Sequence, residues 1–146
     1  MRGIYRLVKY PASEYEELVV WYLWSRDRHD KPQGVFSHET ALDIYDLSDN
    51  NPNRIHMTVP KKFRKLNETP ATIKLYKEDL NQKDYKNFQG MKVTTPLKTL
   101  VDVVAAAELS EEIIVQAVEQ SLKKGLVTIK EFEENKILKQ YLRIKI

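Results

Sequence analysis

The 146-residue chain contains no cysteine. That absence removes disulfides, thiolate zinc sites and cysteine nucleophiles together, and it fits a reducing, cytoplasmic setting. Glycine is scarce, with four scattered residues, so there is no glycine-rich turn to cradle a phosphate. Apolar runs are short. Leu18 to Trp24 is among the longest, well below the roughly 20 residues of a membrane-spanning helix. The first residues, MRGIYRLVKY, lack the unbroken apolar core and small-residue cleavage site of a secretory signal. Internal repeats and low-complexity segments are absent. Net charge of one sign is weak, +3 in total, and by itself does not point to nucleic acid.

What is present is an ordinary globular composition, 42% hydrophobic and 31% charged, in a chain long enough to bury about two thirds of its unfolded surface. A single domain over residues 1–146 is expected. Charge is unevenly placed, at −2 over residues 1–59, +6 over 60–98 and −1 over 99–146. The excess centres on Lys61, Lys62, Arg64 and Lys65 around Phe63. These four are candidates for phosphate contacts, although lysines on connecting segments commonly serve only solvation.

Gly3 to Tyr10 is rich in strand formers and ends at Pro11. Ser13 can cap a helix through about Ser25, with Tyr15, Leu18, Val19 and Tyr22 on its buried face. Its second half, VVWYLW, is apolar nearly all round. Either the helix lies between layers or Trp21 and Trp24 add an exposed patch. Arg26 to Gln33 reads as a charged turn closed by Gly34.

Gly34 to Pro60 is the most structured stretch. Val35 and Phe36 form a short strand, and Ser37 can cap a helix from His38 to about Tyr45 that buries Ala41 and Leu42. A polar turn over residues 48–53 follows, and then a strand alternating Ile55, Met57 and Val59 with His56 and Thr58 until Pro60. Further strands are expected over Ile73–Tyr76 and Met91–Thr94, separated by a polar stretch with Asn81, Asp84 and Gly90 as turn formers.

Thr95 and Pro96 open a helix striped by Leu97, Leu100, Val101, Val104 and Ala105, with Lys98 and Asp102 paired on its outer side. Ser110 opens a second, with Ile114, Ala117, Val118, Ser121 and Leu122 inward and Gly125 as its stop. Thr128 and Glu131 have capping-box spacing for a third. The fold class is therefore α+β, a small mixed sheet with flanking helices and a helical C-terminal third.

Ser37, His38, Glu39, Asp43 and His56 are the residue types of a hydrolase, yet adjacent Ser37 and His38 should diverge where a strand turns into a helix. A nucleophile elbow is absent. His38 and His56 with Glu39 or Asp43 match no metal-ligand spacing. Lys77, Glu78 and Asp79 hold the letters of a nuclease site in the wrong order. The expected roles are structural: Ser37 as a cap, the histidines bonded to the backbone, and neither cofactor nor catalytic residue.

RGIYRL, GVFSHETALDIYDL, NPNRIHMTVPKKFR and GMKVTTPLKTLVDV, taken in order from Arg2 to about Val104, resemble the AbiEi family of bacterial abortive-infection antitoxins. The carrying positions include Gly34, Ser37, His38, Pro60, Thr95 and Pro96. The resemblance implies an antitoxin acting against a nucleotidyltransferase-like toxin, in a type IV system whose two proteins need not form a stable complex. It also implies operon repression through an N-terminal winged helix that family members usually carry ahead of the RGIYRL strand. The sequence here opens on that strand, which suggests the antitoxicity domain alone. A DNA-binding regulator using the basic run is the alternative.

Overall fold

The computed structural model describes residues 12–49, 52–65 and 68–145. The strand expected over Gly3 to Tyr10 lies outside them. Helix α1 spans Ala12–Trp24 and is followed by strand β1, Val35–Phe36, helix α2, His38–Ile44, and strand β2, Ile55–Val59. Strands β3, Ile73–Lys77, β4, Tyr85–Phe88, and β5, Met91–Thr94, complete the sheet. Helices α3, Pro96–Ala106, α4, Glu111–Lys123, α5, Ile129–Glu133, and α6, Gln140–Lys145, form the C-terminal third.

The sheet is mixed, in the order β3-β2-β1-β5-β4. Pairings β1–β2 and β4–β5 are antiparallel, whereas β1–β5 and β2–β3 are parallel. Strand β4 arises within the stretch expected to be polar connection. Lys86 and Asn87 are exposed there, so the edge strand carries no apolar alternation to announce it. It turns into β5 through Gln89 and Gly90, both with positive φ.

One core lies between α1 and the sheet, where Leu18, Phe36, Met57, Met91 and Val93 are buried together. Trp21 packs against this group, and Trp24 lies against Phe63 with ring centroids 5.9 Å apart. Both tryptophans are half-buried, while Val19, Val20 and Leu23 are exposed. The apolar surplus of α1 thus divides between core and surface, and Val19 leaves its expected inward face. The helix already includes Ala12, so Ser13 sits within it and not at its cap. Gly34 is needed for space, since an added Cβ would meet Met57 Sδ at 2.5 Å and Ser25 Oγ at 3.0 Å.

The second core belongs to the helices and gathers Leu42, Leu47, Leu100, Val118, Phe132 and Leu138. Thr95 caps α3 by accepting from the Lys98 N–H at 3.2 Å, and Ser110 caps α4 through Ile113. The Thr128–Glu131 box closes in both directions. Gly125, at φ +73°, ends α4. Helix α3 is rotated from the expected stripe, with Thr99, Leu100 and Val103 buried and Ala105 exposed. Thr99 Oγ1 bonds Thr94 Oγ1 at 2.6 Å and holds that orientation against the sheet.

The same rotation turns Asp102 inward, to 6% exposure, so the Lys98–Asp102 pair is internal and not on the outer side. Lys98 Nζ lies 2.8 Å from Asp102 Oδ1 and 2.8 Å from Glu78 Oε2. Burial pushes the Asp102 carboxyl up to about 6, against the pull of Lys98. A buried carboxylate left without its cation is costly. Lys98→Met should lower unfolding free energy by about 3 kcal/mol or more at pH 8, and Lys98→Met combined with Asp102→Leu should recover most of that loss in urea titrations.

Candidate functional site

The parallel register of β2 and β3 places Thr58 beside Tyr76 and His56 beside Lys74. Alternation along a strand then gives these four side chains one face, opposite Met57 and Leu75. Ser37 continues the face on the neighbouring strand end, where its N–H donates to the His56 carbonyl at 3.1 Å. Helix α2 closes over it, with Thr40 Oγ1 accepting from the His56 N–H at 2.7 Å. Glu108, just beyond α3, brings a carboxylate within reach of Tyr76 and Lys74.

Ser37 occupies the N-cap position of α2, but its side chain makes no capping bond. Its Oγ accepts from Thr58 Oγ1 at 2.8 Å and lies 2.7 Å from His38 Nδ1. The expected divergence of Ser37 and His38 does not occur, because His38 has φ +52°. That left-handed turn, unfavourable for a residue with a Cβ, returns the imidazole to its neighbour. The ring then lies flat on Tyr76, with centroids 3.5 Å apart and planes 7° from parallel.

Ser37 Oγ accepts from Thr58 and keeps both its own proton and a second lone pair for His38 Nδ1, so the 2.7 Å bond between them forms with either tautomer of a neutral imidazole. Burial, then the nearby His56, depresses the His38 pKa to about 3. His56 bonds not to backbone, as expected, but through Nδ1 to the Tyr76 hydroxyl at 2.9 Å. Its Nε2 faces Glu39 Oε2 at 3.9 Å. Burial lowers the His56 pKa too, opposed by Glu39 and Glu108. Tyr76 donates to Glu108 Oε1 at 2.9 Å, and its pKa is raised by burial and by that carboxylate. Although burial works the other way, the bonds from Tyr76 and Lys74 hold Glu108 below the usual glutamate range.

A serine hydroxyl within hydrogen-bond reach of a histidine nitrogen has the local geometry of an activated nucleophile. Ser37 is fully buried, however, and its oxygen already accepts from Thr58. Residues Tyr76, Lys74 and Glu108 join the cluster without having been singled out from sequence. The alternation of β3 carried a signal for the first two, but nothing local marks Glu108.

Lys61, Lys62, Arg64 and Lys65 are exposed, as expected, on a segment pinned by buried Phe63. The Lys61 N–H donates to Asp79 Oδ1 at 3.0 Å, and Lys65 Nζ donates to the Arg26 carbonyl at 3.2 Å. Lys65 also stands 5.3 Å from the centre of the Trp24 ring. A groove of about 490 Å³ runs beside Lys61, Arg64, Lys65 and Lys77.

The histidine network carries a pH signature. A histidine whose folded pKa lies below its ordinary 6.5 favours folding in its neutral form. That contribution is complete above 6.5 and is lost as pH falls towards 3. The denaturation midpoint should therefore decline steadily on acidification below pH 6.5, and His38 ring signals in NMR should stay those of the neutral ring down to about pH 4. A folded His38 titrating near 6.5 would contradict the assignment.

Among the described residues no helix is long and apolar enough to cross a membrane. Comparison with curated proteins returns no match. A family model described as the AbiEi antitoxin C-terminal domain matches residues 34–137. The match begins at Gly34, leaving RGIYRL outside, and runs past Val104 through α4 and α5. It takes in the whole sheet, the polar cluster and most of the helical third. By that match the chain belongs to the family of AbiEi antitoxin C-terminal domains, and its role is that of an antitoxin in abortive infection.

Proposed function

We propose that this chain counteracts a cognate nucleotidyltransferase-like toxin in the cytoplasm as a single, non-catalytic antitoxicity domain. The observation that carries the reading is the family match over residues 34–137, which coincides with sheet and helices and not with an isolated motif. The buried Ser37, whose hydrogen bonds are taken up by Thr58 and His38, supports a role without turnover. Co-expression with a cognate nucleotidyltransferase-like toxin should restore growth, and the Ser37→Ala variant should rescue to a similar extent. A toxin whose growth arrest persists despite soluble expression of this chain would refute the proposal.

DNA binding is the second reading, favoured by the exposed Lys61, Arg64 and Lys65 around a groove, with exposed Lys62 on the same segment. Three or four phosphate contacts would give a log–log salt slope of about −3. Replacing Lys61, Lys62, Arg64 and Lys65 together with Ala should abolish that slope in a fluorescence-anisotropy titration. Unchanged affinity would remove this reading.

A further inference from the structure

Glu39 of α2, His56 of β2 and Glu108 beyond α3 come from three separate elements, yet one ligand-type atom from each lies within 4.8 Å of the other two. The protons around them can be counted. Tyr76 has a single O–H proton and donates it to Glu108 Oε1 at 2.9 Å, because an ionised carboxylate can only accept. The phenol oxygen must then accept from His56 Nδ1 at 2.9 Å. Nδ1 thus holds the one N–H of the neutral imidazole, and Nε2 presents a lone pair on the side facing Glu39 Oε2, 3.9 Å away.

An imidazole lone pair and two carboxylates converging in this way are all electron-pair donors, an arrangement stabilised by a cation among them. We propose that Glu39, His56 and Glu108 bind a divalent first-row transition-metal ion of the Zn²⁺ type. Imidazole nitrogen with carboxylate oxygen is a donor set suited to such an ion. Three protein ligands leave a fourth position for water.

The surroundings are those of a prepared ligand. A metal-binding histidine usually donates its second ring N–H to a fixed acceptor, which sets the tautomer and aims the other nitrogen. Here the acceptor is Tyr76, held by Glu108 on one side and by the stacked His38 ring on the other. Ligand atoms around Zn²⁺, each at about 2.0–2.2 Å, sit about 3–3.5 Å apart. The contraction from 4.8 Å is within reach of Glu108, an exposed side chain on a connection between helices. Glu108 keeps its pair with Lys74 Nζ, 3.3 Å from Oε2, which offsets part of the charge the ion does not neutralise. Binding would tie α2, the sheet and the end of α3 together at one point.

The site is separate from the antitoxin reading and is tested without a toxin. Full-length protein stripped with EDTA and titrated with ZnCl₂ in a calorimeter should bind one ion per chain. Glu39→Gln and Glu108→Gln should each weaken binding by about tenfold or more. In ¹⁵N NMR the His56 Nε2 resonance should move on addition of Zn²⁺, with Nδ1 retaining its proton. Absence of binding would overturn the proposal. So would undiminished affinity in the Glu39→Gln, Glu108→Gln double variant, or a response at the exposed His29 in place of His56.

Discussion

The pairing of β2 with β3 governs this molecule. Met57 and Leu75 are register partners on the side of the α1 core, and Thr58 with Tyr76 and His56 with Lys74 are partners on the other. A slip of one residue would exchange the two faces, placing histidine and lysine against Phe36 and Leu18 and turning methionine and leucine towards Glu39 and Glu108. Both strands are therefore locked by two opposing requirements, burial of apolar surface on one side and hydrogen-bond satisfaction on the other. Parallel pairing also requires the chain to cross over between the strands, and the segment with Lys61, Lys62, Arg64 and Lys65 is that crossover.

The polar face is an unusual investment for a small domain. Buried polar groups stabilise only when each finds its partner. Here Thr58 donates to Ser37, Ser37 is bonded to His38, and the protons of His56 and Tyr76 run in sequence to Glu108. The left-handed backbone at His38 belongs to the same arrangement, since local strain persists where surrounding contacts compensate it. Lys98, Asp102 and Glu78 form a second group at α3, in which Asp102 Oδ1 is paired and Oδ2 is buried without a hydrogen-bond partner among the described residues. The matched family region contains all of these groups. The exposed run of Lys61, Lys62, Arg64 and Lys65 lies apart from this polar face, on the crossover.

Much of the fold was legible in the residues. The Thr95–Pro96 start, the Ser110 cap and the Thr128–Glu131 box are local, because a capping bond spans only a few residues. The strands through Ile55 and Ile73 announced themselves by composition. Ser37 shows where local reasoning stops. Its cap position is correct, but its hydroxyl bonds Thr58, a residue 21 positions away. Strand β4 and helix α6 went unread because their formation depends on partners, β5 for the one and the helical core for the other.

The sequence by itself determined the starts of α2 to α5, the main strands, the exposed basic run and the resemblance that the family match then established. Each of these is written in short-range spacing or in ordered motifs. Only the tertiary structure decided which side chains meet. Sheet register joined His56 to Tyr76, the turn at His38 stacked its ring, the rotation of α3 buried Asp102, and the connection after α3 delivered Glu108. Those outcomes depend on contacts between residues far apart in the chain, where periodicity can assign a face but cannot name what lies across from it.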